Sequence, residues 1–235
     1  MKIILDIETN LTHDKIWCVV VRDIDTGLVN EWTSEHPSLQ GFIDKATEVI
    51  THNGIFFDFP VLKRVWGITV KKSQVVDTLV LSRLCNPSLE DGHSLAAWGQ
   101  RLGFAKGDFT DFEGGLTQEM LDYCIQDTLV TQKLYEHLTK EMENDFSQES
   151  ITLEHEVAVI IAEQERNGFK LDEPKALQLL SELKTKLDAI QVEMCAIFPP
   201  KYVEFKGKPR NMENVVTLEQ IPEEHRCHIV TVKNT

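Results

Sequence analysis

The sequence predicts a mixed α/β architecture, on three observations. It opens with a strand, a turn and a second strand. Helical segments bounded by cap residues follow. Past a polar stretch at 144–150, two longer helical patterns lead into a mixed tail. At 235 residues the chain can hold a domain of about 100–150 residues with a core of its own, plus an appendage.

Each element has a local reason. Residues 2–7 (Lys-Ile-Ile-Leu-Asp-Ile) are an apolar run of strand length. Residues 16–22 and 28–33 read as two more strands, with Asp25-Thr26-Gly27 as the hairpin turn between them. A short helix is expected over 38–46 and a fourth strand over 49–52. Residues 59–65 suit a helix, because Pro60 fits a first turn and Gly67 stands just past its end. Asp77 and Ser94 can cap helices over 78–84 and 95–102, the second closed by Gly103. Gly107, Asp108, Gly114 and Gly115 make 105–116 a loop. Thr117 then opens a helix to about residue 142, with Met120, Cys124, Leu134 and Leu138 as its core stripe.

The polar residues 144–150 set the expected domain boundary, dividing the chain into 1–146 and 147–235. Beyond it, Leu153, Val157, Ile160 and Ile161 form a one-sided stripe on a helix closed by Asn167-Gly168. Asp172 starts a further helix to about residue 198, stopped by Pro199-Pro200. Strand-like pieces lie at 202–205 and 228–232, and there is no internal repeat or low-complexity tract.

Composition bounds the class. Hydrophobic residues make up 42% and charged residues 26%, the balance of an ordinary soluble globular chain. No apolar run approaches the roughly 20 residues that span a bilayer, and Asp6 interrupts the first run before it could serve as a signal segment. The five cysteines (Cys18, Cys85, Cys124, Cys195 and Cys227) are odd in number, scattered and free of C-x-x-C pairs, which implies reduced thiols and a cytoplasmic location. The net charge of −14 runs against nonspecific duplex binding, which draws on Lys and Arg. It leaves two readings: no nucleic acid at all, or a short grip on a few nucleotides in a carboxylate-rich site where bound cations restore attraction.

Four acidic residues arrive in three places. Asp6 and Glu8 stand two apart on a strand and so share a face. They lie toward its carboxyl end, where α/β sheets form sites. Asp58 follows Asn53-Gly54-Ile55-Phe56-Phe57 just before a helix, a place an ordinary N-cap could also occupy. Tyr123 and Asp127 are four apart on one helix face. Each piece alone is commonplace. Together they would crowd carboxylates that cannot all stay ionised in an apolar setting without cations. Hard oxygen ligands select Mg²⁺ or Mn²⁺. A pair of such ions about 4 Å apart is the usual clamp for in-line attack on a phosphodiester.

Asp-Ile-Glu-Thr at 6–9, Asn-x-x-x-Phe-Asp at 53–58 and Tyr-x-x-x-Asp at 123–127 resemble, in order, the three motifs of the DEDDy 3′→5′ exonucleases of the DnaQ-like class. The runs 77–84, 92–103 and 163–169 look like the proofreading region and following helix of podovirus-type family A DNA polymerases. The resemblance covers 1–172 well and 173–198 loosely. It implies a ribonuclease H-like fold, with a mixed central sheet flanked by helices and a C-terminal helical appendage. It also implies that Asp6 bridges two divalent cations, that Glu8 and Asp127 complete the nucleophile-side ion, and that Asp58 holds the other, partly through water. Tyr123, with Glu8, would position the attacking water; a tyrosine there rather than a histidine assigns the DEDDy subclass. Thr9, Asn10, Asn53 and Phe57 fall where the family touches the terminal nucleotide.

The expected substrate is a single-stranded or frayed 3′ DNA end, in a host cytoplasm if the protein is phage-encoded. Family A polymerases continue well beyond such a region into palm and fingers. The sequence stops at Thr235, so no polymerase activity is expected of it. A proofreading subunit working with a separate polymerase chain, a truncated product or a stand-alone enzyme all fit. Two other readings stay in view: an RNA-trimming nuclease of the ribonuclease D kind, and a noncatalytic replication accessory. The set His225-Arg226-Cys227-His228 lacks a second pair at zinc-site spacing. Lys63, Arg64, Lys71 and Lys72 form the one basic cluster, a strand guide or a solvated face. Trp66 and Trp98 read as core, and His52 and His93 as possible neighbours of the site.

Overall fold

Period-two patterning sends Ile3, Leu5 and Ile7 of the first strand to one side and Ile4 to the other, and all four are buried. That strand, β1 (Lys2–Thr9), is covered on both faces, which is why Ile3, Ile4 and Leu5 follow one another without polar alternation. In this computed structural model, residues 1–35, 37–104, 107 and 109–198 are described. The strand-like pieces expected at 202–205 and 228–232, and the histidines at 225 and 228, lie outside them.

β1 pairs antiparallel with β2 (Ile16–Asp23), which pairs antiparallel with β3 (Val29–Trp32). On its other side β1 runs parallel to β4 (Glu48–Thr51), and β4 parallel to β5 (Val75–Asp77). The five-stranded mixed sheet has the order β3-β2-β1-β4-β5. Helices α1 (Pro37–Lys45), α2 (Asp58–Trp66), α3 (Thr78–Cys85), α4 (Leu95–Leu102), α5 (Gln118–Met142) and α6 (Gln148–Asn167) follow in chain order. Leu39 and Ile43 of α1 and Val61 and Leu62 of α2 pack on the Ile3–Leu5–Ile7 face. The Ile4 face meets Leu81 of α3, Trp98 of α4, and Val130, Leu134 and Leu138 of α5.

The caps are those the sequence names. Asp77 accepts from Leu79 N, Ser94 from Ala97 N and Thr117 from Met120 N. Gly67 and Gly103 close their helices in the left-handed region. Two elements differ from expectation. The edge strand β5 is three residues long, too short for alternation to announce it, and a 3₁₀ turn at Lys72–Gln74 precedes it. On α6 the buried residues are His155, Ala158 and Ala162, while Leu153, Val157, Ile160 and Ile161 stay exposed. Small side chains let α6 approach the loop carrying Ile55, so the bulkier stripe is not the one that packs.

Met1–Gly168 form one compact unit and Phe169–Thr235 a second. The described part of the second contains α7 (Glu173–Ile197), capped by Asp172, which accepts from Lys175 N. No helix among the described residues is long and apolar enough to cross a membrane.

Candidate active site

Asp6 and Glu8 share the α5 face of β1, opposite Val20 and Cys18 of β2. The register slips between Glu8 and Thr9, a bulge of the kind that re-aims side chains at a strand end. Across from them, α5 presents Cys124. One ligand atom each from Asp6, Glu8 and Cys124 lies within 4.8 Å of the others. Cys124 Sγ donates to Asp6 Oδ2 at 3.3 Å. Burial, with the nearby Asp6 and Glu8 carboxylates and Cys18, pushes the Cys124 thiol well up, so it remains a protonated donor. Three residues further along α5, Asp127 is buried too.

Asp58 comes from a different segment. It is the first residue of α2, and the helix takes no side-chain cap bond, so Asp58 is not acting as an N-cap. Burial drives its carboxyl well above the usual range, and the charges of Asp6 and then Asp77 push the same way, against backbone N–H groups that include Ile7's. Asp6, Glu8 and Asp58 thus converge from two chain segments, and Asp58 ionises at a cost that a cation would relieve.

The loop before Asp58 is held by Asp77. Its Oδ1 accepts from Asn53 N at 2.8 Å and its Oδ2 from Ile55 N at 3.1 Å. Its carboxyl is raised by burial, with these N–H groups pulling the other way. Asn53 turns with φ +71°, and a side chain on Gly54 would sit 2.2 Å from the Oγ1 of buried Thr51. Behind Asp77, His155 of α6 accepts from Asp77 N at 2.9 Å, and its Nδ1 bonds Ile151 O at 2.8 Å. His155 is therefore the Nδ1–H tautomer, since Nε2 must carry the lone pair.

A second loop, after β1, meets Phe57, the residue before Asp58. Thr9 Oγ1 meets His13 Nδ1 at 2.9 Å, and the His13 ring stands edge-on to Phe57 at 4.9 Å. Asn10 spends its side chain on this loop, donating to Thr12 and Asp14 and accepting from Lys15 N. Arg64 of α2 donates to His13 O. Glu113 accepts from Leu11 N, and Trp17 Nε1 donates to Phe112 O, so the 109–116 segment is tied to the same loop. Phe109 and Phe112 pack their rings against half-buried Tyr123 at 5.8 and 6.3 Å.

Residues 31–143 match the family model described as a 3′–5′ exonuclease. That region is similar to a 3′–5′ exonuclease domain. A DNA-directed DNA polymerase of Escherichia phage T7 is 28% identical over 267 aligned residues, which take in 85% of this chain and 38% of the polymerase. The chain thus spans under two fifths of that relative's length. Brucella melitensis NrnC shares the fold at a TM-score of 0.57 and 22% identity, over 71% of this chain and 86% of its own. Escherichia coli RNase D, an exoribonuclease involved in structured RNA processing, does so at 0.50 and 17%, over 69% and 45%. The ribonuclease H-like class expected of the mixed sheet holds.

In the structure, then, the sequence-named carboxylates Asp6, Glu8 and Asp58 come together, Asp127 is buried on the same face of α5 as Cys124, and Thr9 and Phe57 meet through His13. Asn53 lines a separate groove of about 670 Å³ between the 53–56 loop, α3 and α6. Sequence reasoning missed Cys124 as a neighbour of Asp6, because it reads only as one position of the core stripe. It also missed His13 and Glu113, which belong to loops without periodicity. Asp77 was legible as a cap but not as the clamp on the 53–55 backbone. Trp98 is buried with its indole N–H on Ser82 Oγ, and Trp66 packs on the core. His52 and His93 serve α3, through Thr78 Oγ1 and Ser82 Oγ.

Proposed function

We propose that this chain is a divalent-metal-dependent 3′→5′ exonuclease that trims single-stranded or frayed DNA ends and releases nucleoside 5′-monophosphates. In this reading it is the editing module of a phage-like family A polymerase. The observation that carries it is the gathering of Asp6 and Glu8 beside Cys124, with buried Asp58 near enough for the Asp6 charge to add to burial in driving its carboxyl upward. The carboxylate oxygens suit a hard cation, while the protonated Cys124 thiol serves Asp6 as a hydrogen-bond donor. Asp6, Glu8, Asp58 and Asp127 would hold two divalent ions, Mg²⁺ or Mn²⁺. When bound, these supply charge stabilisation at the phosphate and activation of water.

The remaining roles belong to the protein's own groups. The Tyr123 phenol, its ring braced by Phe109 and Phe112, orients the attacking water. Phe57 offers an aromatic edge and Thr9 a hydroxyl to the terminal nucleotide, with Asn10 shaping the loop around it and Asn53 at its far side. Residues 1–146 form the catalytic domain and 147–235 the appendage through which a separate polymerase chain would dock. The phage polymerase likeness, over 85% of this chain, favours DNA over RNA.

The test uses one sequence made as DNA and as RNA, 5′-labelled, with Mg²⁺ or Mn²⁺. Faster stepwise shortening of the DNA is expected. Faster loss of RNA would move the enzyme to the ribonuclease D kind of task, and tight binding without cleavage would make it an accessory protein.

A further inference from the structure

Away from the carboxylates, a groove of about 540 Å³ runs between α2, the 69–75 segment and α6. Its floor is apolar, with Phe59 and Val159, and its walls carry Lys63, Arg64, Lys72 and Arg166. Three members of the basic cluster on and after α2 are thus joined in the groove by Arg166 of α6, a helix that lies in the same compact unit. No acidic side chain is among the described residues lining it, although the chain has 38 acidic and 24 basic residues. A random sample of this surface would be predominantly negative. The groove has the opposite sign.

The groove also shares helix α2 with the candidate active site. Phe59 and Pro60 line it and directly follow Asp58. Lys63 and Arg64 lie five and six residues beyond Asp58 on α2, about 7.5–9 Å along the axis at 1.5 Å per residue. That equals roughly two or three nucleotides at a strand rise of about 3.4 Å. Arg64 in addition donates to His13 O, in the loop whose His13 ring meets Phe57.

We infer that this groove binds the single strand upstream of the 3′ end, its cations on the phosphates of about the third nucleotide inward and beyond. Phe59 and the apolar floor supply sequence-independent contact with bases. The inference rests on the exonuclease reading of the neighbouring site. It explains how a chain of net charge −14 holds a polyanion: one local stripe of the right sign, leading to a site where cations offset the carboxylates.

Binding of 5′-fluorescein-labelled octathymidylate is measured by anisotropy in EDTA across a salt series, for the wild type and for Lys63→Ala/Lys72→Ala/Arg166→Ala. Arg64 is left in place because it braces the His13 loop. Each lost phosphate contact flattens the log K against log salt slope by about 0.7, so the triple variant is expected to lose about 2 from the slope. Matching thermal melts exclude unfolding as the cause. An unchanged slope overturns the inference. So does equal competition by a polyglutamate peptide, which would make the groove a site for an acidic protein. If the wild type cleaves DNA but the slope does not move, this inference alone fails; if it neither binds nor cleaves, the exonuclease reading fails with it.

Discussion

Asp58 is buried and faces both Asp6 and Asp77, so its carboxyl is pushed above the ordinary 3.8. The sign of the linkage follows. A group whose folded pKa is raised lends stability that is complete below its unfolded value and lost as pH climbs through the folded one. The metal-free protein should therefore weaken as pH rises through this range, and a divalent ion should return the loss by favouring the ionised form. Thermal melts with and without Mn²⁺, across a pH series rising from the ordinary carboxylate range, are expected to show a shift that grows with pH. At 100-fold excess over Kd the ion would add about 2.7 kcal/mol. Asp58→Asn should remove most of the pH dependence; a shift that ignores both pH and this substitution contradicts the assignment.

Gly54 gives a second prediction at this scale. Thr51 is fully buried and cannot yield to a Cβ placed 2.2 Å from its hydroxyl. Gly54→Ala is expected to cost about 1–3 kcal/mol as an overpacked site, read by urea unfolding. Cleavage should fall as well, since the same loop carries Asp58. A stable, fully active variant would show that the loop is not held as described.

At the scale of elements, α6 is joined to the sheet edge through one polar contact, His155 on Asp77 N, amid small apolar ones. His155→Phe keeps the bulk but leaves that buried N–H without an acceptor, at an expected cost of about 1–3 kcal/mol. Chemical denaturation gives the cost directly, and His155→Gln, which restores an oxygen acceptor, should recover part of it. Equal stability of the Phe and Gln variants would mean the hydrogen bond is not what secures α6.

These elements also show what was legible in the sequence. β1 was readable as an apolar run of strand length, and α5, α3 and α4 because apolar residues recur at helical spacing behind the caps Thr117, Asp77 and Ser94. The α6 face was not, because bulky Leu153, Val157, Ile160 and Ile161 outshine Ala158 and Ala162, and tight approach prefers the small pair. β5 escaped notice because three residues cannot establish a period. Of the candidate site, the carboxylates were named by motif order. The contacts that set them, Cys124 to Asp6 and Asp77 to Asn53 and Ile55, join residues far apart in the chain and follow only from the fold.

On the scale of the whole molecule, the acidic surface, the carboxylate cluster and the basic groove form one electrostatic arrangement. Repulsion from most of the surface would discourage duplex binding, and one positive channel would admit a single strand. Specificity for ends then follows from where that channel leads. The most direct test of the central claim is single-turnover cleavage of a 5′-labelled DNA strand with Mg²⁺, comparing the wild type with Asp6→Ala and Glu8→Ala. A ladder receding from the 3′ end is predicted for the wild type. A fall of at least about a hundredfold is predicted for each variant, as expected when several kcal/mol of transition-state stabilisation is removed. Cleavage that survives both substitutions at near wild-type rate would contradict the account.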